Sequence, residues 1–151
     1  MIKIIAIGKK HEKWSLNGIQ EFEKRLKKPY DLRWDILPHS VFSDDKARFE
    51  EGERIMKALR PGDYVVLLDE RGKNISSPEF SNMLELGFIN SQNIVVIIGG
   101  AYGVSEDLRS RADFVWSLSK LVFPHQIVRL ILTEQIYRAQ EISSGGKYHH
   151  I

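Results

Sequence analysis

Apolar residues gather into five short runs, at 2–7, 32–37, 64–68, 94–98 and 114–118, and the stretches between them carry apolar positions at helical spacing. The alternation predicts strand, helix, strand, helix through the whole chain. Val65-Val66-Leu67-Leu68 and Val95-Val96-Ile97-Ile98 are apolar at every position instead of every second one. That is the pattern of strands covered by helices on both faces, so the expected fold class is α/β with a mainly parallel sheet.

The first helical stretch has an apolar stripe of Trp14, Ile19, Phe22 and Leu26, a favourable Glu23/Lys27 pair on its wet side, and Pro29 as its terminator. A second, from 45 to 59, is charged and weakly patterned, and Pro61-Gly62-Asp63 turns the chain into the third strand. Ser77-Pro78-Glu79 places a cap, a proline and an acid in the order that opens a helix, predicting one over 78–88. Ser105-Glu106-Asp107 opens a shorter one by the same logic. The last helix, over 124–143, is apolar around most of its girth, from Ile127 and Val128 through Leu130, Ile131 and Leu132 to Ile136 and Ile142. A helix of that kind is covered on two sides, and in a chain this small the second cover is expected to be another copy, hence a homodimer. Gly145-Gly146 makes a hinge before a short polar tail.

The 151 residues, 42% of them hydrophobic, suffice to bury roughly 70% of the unfolded surface, and one compact domain over 1–151 is expected. A net charge of +2 admits a polyanionic partner but falls far short of a protein that coats nucleic acid. With no cysteine, disulfides, thiolate catalysis and cysteine-bound zinc are excluded. Ile4-Ile5-Ala6-Ile7 is too short for a signal core or a bilayer span, so no membrane association and a cytoplasmic location are expected.

Chemistry concentrates where strands end. Gly99-Gly100-Ala101-Tyr102-Gly103 follows a strand and precedes the Ser105 cap, a context in which glycines let a ligand reach the backbone. It lacks the spacing of a dinucleotide fingerprint and the Lys-Ser/Thr of a phosphate loop, and a tight βα turn accounts for it equally well. Asp69 and Glu70 end another strand, suited to a ribose hydroxyl or a sulfonium charge, or simply to a solvated turn. His125 stands in the first turn of the last helix, where the dipole disfavours a cation and a neutral packing role is expected. His149 and His150 have no partner at ligand spacing, so no metal is expected and a frayed tail is the plain alternative. Glu134 lies four residues before Arg138 and explains it as a local ion pair, whereas Arg129 has no carboxylate at that spacing and is the better candidate for a phosphate or cofactor role. Lys9-Lys10-His11 and Lys13 suit an RNA backbone or mere solubility.

Taken in order, Leu68-Asp69-Glu70-Arg71-Gly72-Lys73, Ile98-Gly99-Gly100, Gly103, Ser117-Leu118-Ser119, Phe123-Pro124-His125, Val128-Arg129, Glu134-Gln135-Ile136-Tyr137-Arg138-Ala139 and Tyr148-His149 closely resemble the RlmH family. These are ribosomal RNA large-subunit methyltransferases of the SPOUT superfamily. The resemblance implies an α/β fold with a C-terminal trefoil knot, a homodimer with each cofactor site near the partner chain, and transfer of a methyl group from S-adenosyl-L-methionine to N3 of a pseudouridine in 23S rRNA within the assembled ribosome. Carried over by position, the cofactor contacts fall on Leu68, Gly99 and Gly103, and on Leu118, Ser119, Lys120, Leu121, Val122 and Phe123. The functional tail falls on Tyr148 and His149; the next position, usually a longer basic residue, is His150 here. His149 is the expected base, with Arg129 or Arg138 stabilising charge on the substrate or holding phosphate. Two other readings remain: a non-catalytic, ribosome-associated RNA-binding module of the same fold, and an α/β enzyme acting on a small nucleotide.

Overall fold

The computed structural model describes residues 1–150; Ile151, the last residue of the domain expected over 1–151, lies outside the described residues. In chain order the elements are β1 (Ile2–Ile7), α1 (Lys13–Glu23), β2 (Leu32–Leu37), α2 (Asp44–Ala58), β3 (Asp63–Lys73), α3 (Ser77–Ile89), β4 (Asn93–Ile98), α4 (Glu106–Arg111), β5 (Phe114–Trp116) and α5 (His125–Ser143). The strands form one sheet in the order β2-β1-β4-β3-β5, and every pairing is parallel. The unbroken apolar runs behave as their composition requires, because alternate residues point to opposite faces and both faces are covered. Ile4, Ala6, Val66, Val96 and Ile98 meet Phe80, Leu84, Leu132 and Ile136 on the face carrying α3 and α5. Ile5, Ile7, Val65, Leu67 and Ile97 meet Ile55 of α2 and Leu108 of α4 on the other.

Several boundaries depart from the pattern in the sequence. β3 runs five residues past Leu68, because after a register shift the polar segment 69–73 continues beside β5, with Lys73 opposite Trp116. β5 stops at Trp116, where the Ser117 hydroxyl turns to donate to the carbonyl of Ser119 at 2.9 Å. The cap of α3 is Ser76 instead of Ser77: its hydroxyl accepts from the Glu79 N–H, and the Glu79 carboxylate accepts from the Ser76 N–H at 2.6 Å. This reciprocal box satisfies two N–H groups that the helix start leaves free.

Pro29 does not end α1; the helix stops at Glu23, because α5 supplies partners for the chain beyond it. Gln140 accepts from the Lys27 N–H at 2.7 Å and donates to the Arg25 carbonyl at 3.0 Å. The expected Glu23/Lys27 pair is replaced as well: Glu23 accepts from the Trp34 indole N–H at 2.6 Å. Trp14, placed in the apolar stripe from its spacing, is 52% exposed.

The edge strand β5 is followed by a helix that starts on the far side of the sheet. Gln126 accepts from the Glu12 N–H at 3.0 Å, and its carbonyl accepts from the Ser15 hydroxyl at 3.1 Å, so α5 begins beside the end of β1. Residues 117–124 therefore cross back over the carboxyl ends of β3 and β4. Much of the apolar girth of α5 is used within the chain: Leu132, Ile136 and Ala139 enter the core, and a Cβ at Gly18 of α1 would come within 2.8 Å of Leu130. Trp14 and Ile127 leave apolar surface open on the α1–α5 side.

Phe80 is fully buried and stacks on Trp116 with ring centroids 4.3 Å apart. Phe80→Ala is expected to lower unfolding free energy in urea titrations by about 3–5 kcal/mol. Val41→Ala, at a position 87% exposed, is expected to stay within about 0.5 kcal/mol of wild type.

Candidate functional site

A parallel sheet sends every strand-to-helix connection out at one edge, and here β4 and β5 end level with Leu68, past which β3 runs on to Lys73. Leu68 is paired with Ile98 on one side and Trp116 on the other. Beyond them lies a cleft of about 1000 Å³, bounded by residues 69–71 in the outer part of β3 and by the connections after β4 and β5.

Each wall has its own local cause. In the turn after β4, the Gly103 N–H donates to the Gly100 carbonyl at 3.1 Å, and Gly103 has φ +87°, a backbone region that favours glycine. A Cβ at Gly99 would come within 2.6 Å of a Val104 methyl. Ser105 then caps α4, accepting from the Leu108 N–H.

The wall after β5 is a folded turn. The Leu121 N–H donates to the Ser119 hydroxyl at 3.0 Å, and Asn74 from the neighbouring connection donates to the Ser117 carbonyl at 2.8 Å. Leu121 and Val122 are held open to solvent, 69% and 78% exposed. The third wall is pinned by Asp69, which accepts from the Arg71 N–H at 2.8 Å and from the Arg109 guanidinium at 2.6 Å. Burial pushes the Asp69 carboxyl up, but the hydrogen bonds from Arg71 and Arg109 outweigh it, so its pKa lies below the usual value.

Of the residues assigned to the cofactor by resemblance, Leu68, Gly99 and Gly103 line this cleft, as do Leu118, Ser119, Leu121, Val122 and Phe123. Lys120 is exposed and is not part of the lining. His125 lines it from the first turn of α5, and burial, reinforced by the charge of Arg129, lowers its pKa against the opposing pull of Glu51. Its ring is therefore neutral near pH 7, in keeping with the helix-terminus argument.

Of the residues assigned to catalysis, Arg138, Tyr148 and His149 form a second cluster on the outer part of α5, and Arg129 does not join it. Glu134 takes the Arg138 guanidinium at 2.9 and 2.5 Å and the Tyr148 hydroxyl at 3.0 Å. The Arg138 guanidinium lies 4.8 Å from the Tyr148 ring centroid and donates toward His149 Nδ1 at 3.1 Å. Tyr148 also meets Tyr137 edge to face at 4.8 Å. The tail is thus folded onto α5, with Gly145 at φ +71° making the reversal. Because arginine only donates, His149 Nδ1 is the acceptor and the proton of its neutral ring belongs on Nε2. Burial, followed by the Glu134 hydrogen bond, raises the Tyr148 pKa, while the Glu134 hydrogen bond raises that of Arg138.

Arg129 belongs to neither group. It is 1% exposed, donates to the Lys9 carbonyl at 2.8 Å, sits 3.3 Å from His11 Nδ1, and bolts α5 to the connection after β1. Lacking a carboxylate four residues before it on its own helix, it finds a backbone carbonyl and a histidine across the fold. Sequence reasoning missed the fourth side of the cleft, where Asp45, Arg48 and Phe49 of α2 line it. The available signal was the spacing of Arg48, Glu51 and Gly52 on one helical face. Among the described residues no group of three His, Asp or Glu gathers as a metal site, and no helix is long and apolar enough to cross a membrane.

Comparison with known proteins bears on this geometry directly. A family profile described as "Predicted SPOUT methyltransferase" matches residues 1–149. The chain is 42% identical to the ribosomal RNA large subunit methyltransferase H of Desulfitobacterium hafniense, with 98% of each chain covered. It is also 42% identical to the protein of that name from Dictyoglomus thermophilum, with 99% of each covered. A crystal structure of a putative methylase family protein from Neisseria gonorrhoeae shares the fold at a TM-score of 0.59 and 12% identity, over 99% of this chain and 85% of that one. With a profile match across almost all of its length and full-length relatives far above the level of chance similarity, the chain belongs to the SPOUT methyltransferase family, in the branch of the large subunit methyltransferase H proteins.

Proposed function

We propose that this protein is an S-adenosyl-L-methionine-dependent methyltransferase that acts on N3 of a pseudouridine in 23S rRNA, on the assembled ribosome, as a homodimer of single-domain chains in the cytoplasm. The observation that carries the reading is the cleft at the carboxyl edge of β3, β4 and β5, bounded by Leu68, Gly99, Leu118, Ser119 and 121–123. Its fit to the cofactor rests on three features: a volume at the upper end of the ordinary range for small-molecule sites, Gly103 with nothing within 4 Å of where a Cβ would stand, and apolar side chains standing open at the mouth. The passage of 117–124 over the sheet edge, tied by Asn74 to the β3–α3 connection, supports a threaded trefoil at this point.

S-adenosyl-L-methionine, when bound, supplies a methyl carbon made electrophilic by the neighbouring sulfonium. The three walls hold and orient it through main-chain groups and apolar contact, and alignment of this kind is worth roughly 7–11 kcal/mol of a barrier. Asp69, kept ionised by Arg71 and Arg109, holds the β3 exit in shape. The accepting ring nitrogen carries a proton at neutral pH, and His149 is the base we assign to it. Its basic nitrogen is Nδ1, the one that faces Arg138, so proton uptake there requires Arg138 to withdraw toward Glu134. The Arg138 Nη1, released from His149, is then available to negative charge on the substrate, while Nε and Nη2 stay on Glu134. Within one chain the tail cluster is not part of the cleft lining, and the open apolar surface of α1 and α5 supports a dimer in which each tail serves the partner's cleft.

Calorimetry should detect S-adenosyl-L-methionine binding, and methyl incorporation should occur into intact ribosomes but not into free nucleosides. Binding without incorporation would instead indicate the non-catalytic RNA-binding module, and incorporation into nucleosides a small-nucleotide enzyme. His149→Ala is expected to leave cofactor affinity unchanged while slowing methylation by about 10²–10⁴-fold. A tail variant such as His149→Ala, mixed with a cleft variant such as Gly99→Val, should regain activity on exchange of subunits, with about a quarter of sites live if tails act across the dimer. No regain would place tail and cleft in the same chain.

A further inference from the structure

Glu51 is a buried carboxylate that neither the cleft lining nor the tail cluster uses. It is 4% exposed; one oxygen, Oε2, accepts from the Ser40 N–H at 2.8 Å, and the other, Oε1, is buried without a partner. A half-satisfied buried carboxylate is costly, and its surroundings indicate what it does. A Cβ built on Gly100 would sit 3.0 Å from Glu51 Cδ and closer still to Oε1. The residues beside Glu51 on the same helical face reach the rest of the turn: Arg48 donates to the Tyr102 carbonyl at 2.8 Å, and a Cβ at Gly52 would come within 2.5 Å of the Ser105 hydroxyl. Positions three and four apart share one face of a helix, so a single face of α2 grips the turn 99–105 at its start, middle and end.

We propose that Glu51 is a positioning residue for this turn. Wedged beneath Gly100, its carboxylate fixes the main chain of Gly99 and Gly100 along the cleft and, through Ser40, ties it to the connection 38–43 after β2. The inference deepens the proposed function and rests on 99–105 holding the cofactor. Occupation of the cleft and the conformation of 38–43 are then coupled, because one side chain holds both. Gly100 has to be glycine because Glu51 occupies the space of a side chain, which makes the two positions a matched pair.

The test combines two measurements on Glu51→Ala, Glu51→Gln, Gly100→Ala and the Glu51→Ala/Gly100→Ala double variant. Hydrogen exchange on the protein without ligand should speed up about tenfold at 100–103 and at Ser40 in Glu51→Ala, with β1 and β4 still protected, while Glu51→Gln, which keeps the volume and an acceptor for Ser40, stays near wild type. Calorimetry with S-adenosyl-L-methionine should show about tenfold weaker binding by Glu51→Ala and a greater loss in Gly100→Ala, and the double variant should bind more tightly than Gly100→Ala alone. A purely structural role would lower the melting temperature without that rescue. Unchanged exchange across 99–105 in Glu51→Ala, or losses that simply add, would overturn the proposal. Failure of the wild type to bind S-adenosyl-L-methionine would refute the proposed function instead, and the exchange measurement would still decide the role of Glu51.

Discussion

The parallel register that brings Leu68, Ile98 and Trp116 level is the constraint on which everything else rests. It sets Leu68 between the last residues of β4 and β5, so the connections after those strands must leave the sheet on either side of the outer part of β3. Had one strand run the other way, its connection would emerge at the opposite edge and the cleft would lose a wall. The register is secured by burial, since Val66, Val96 and Ile98 face one core cluster and Val65, Leu67 and Ile97 the other, and a slip by one residue would exchange those faces.

Around this edge the chain divides its polar groups by task. Asp69, Asn74 and the Ser119 hydroxyl fix main chain, leaving bare backbone and apolar side chains along much of the cleft. The ionisable groups with reactive potential, Arg138, Tyr148 and His149, are gathered around Glu134 on the outside of α5. Arg129, which has no carboxylate four residues before it, holds α5 to Lys9 instead, with its buried Nε left without a partner.

Much of this was legible in the residues. Strand positions, the parallel sheet and the glycine turn followed from unbroken apolar runs and their glycine ends, and the order of short motifs pointed to the family. Local pattern failed where distant residues decide local structure. Nothing near α1 indicates that Gln140 will end it ahead of Pro29. The polar sequence 69–73 gives no sign that it will pair beside β5, where Gly72 passes so close that a Cβ would lie 2.5 Å from the Val115 carbonyl. The role of α2 was hidden because 45–59 is charged and weakly patterned: that Arg48, Glu51 and Gly52 share one face against the turn 99–105 shows only once that turn is placed beside them.

The ties between α5 and the beginning of the chain bear on how the protein is made. Lys9 waits for Arg129, Glu12 for Gln126 and Lys27 for Gln140, each more than a hundred residues downstream, and β1 cannot pair with β4 until 93–98 exists. The amino-terminal third thus pairs locally only through β1 and β2; its ties to α5 close loops of more than a hundred residues, the topological cost of placing the first strand inside the sheet, between β2 and β4.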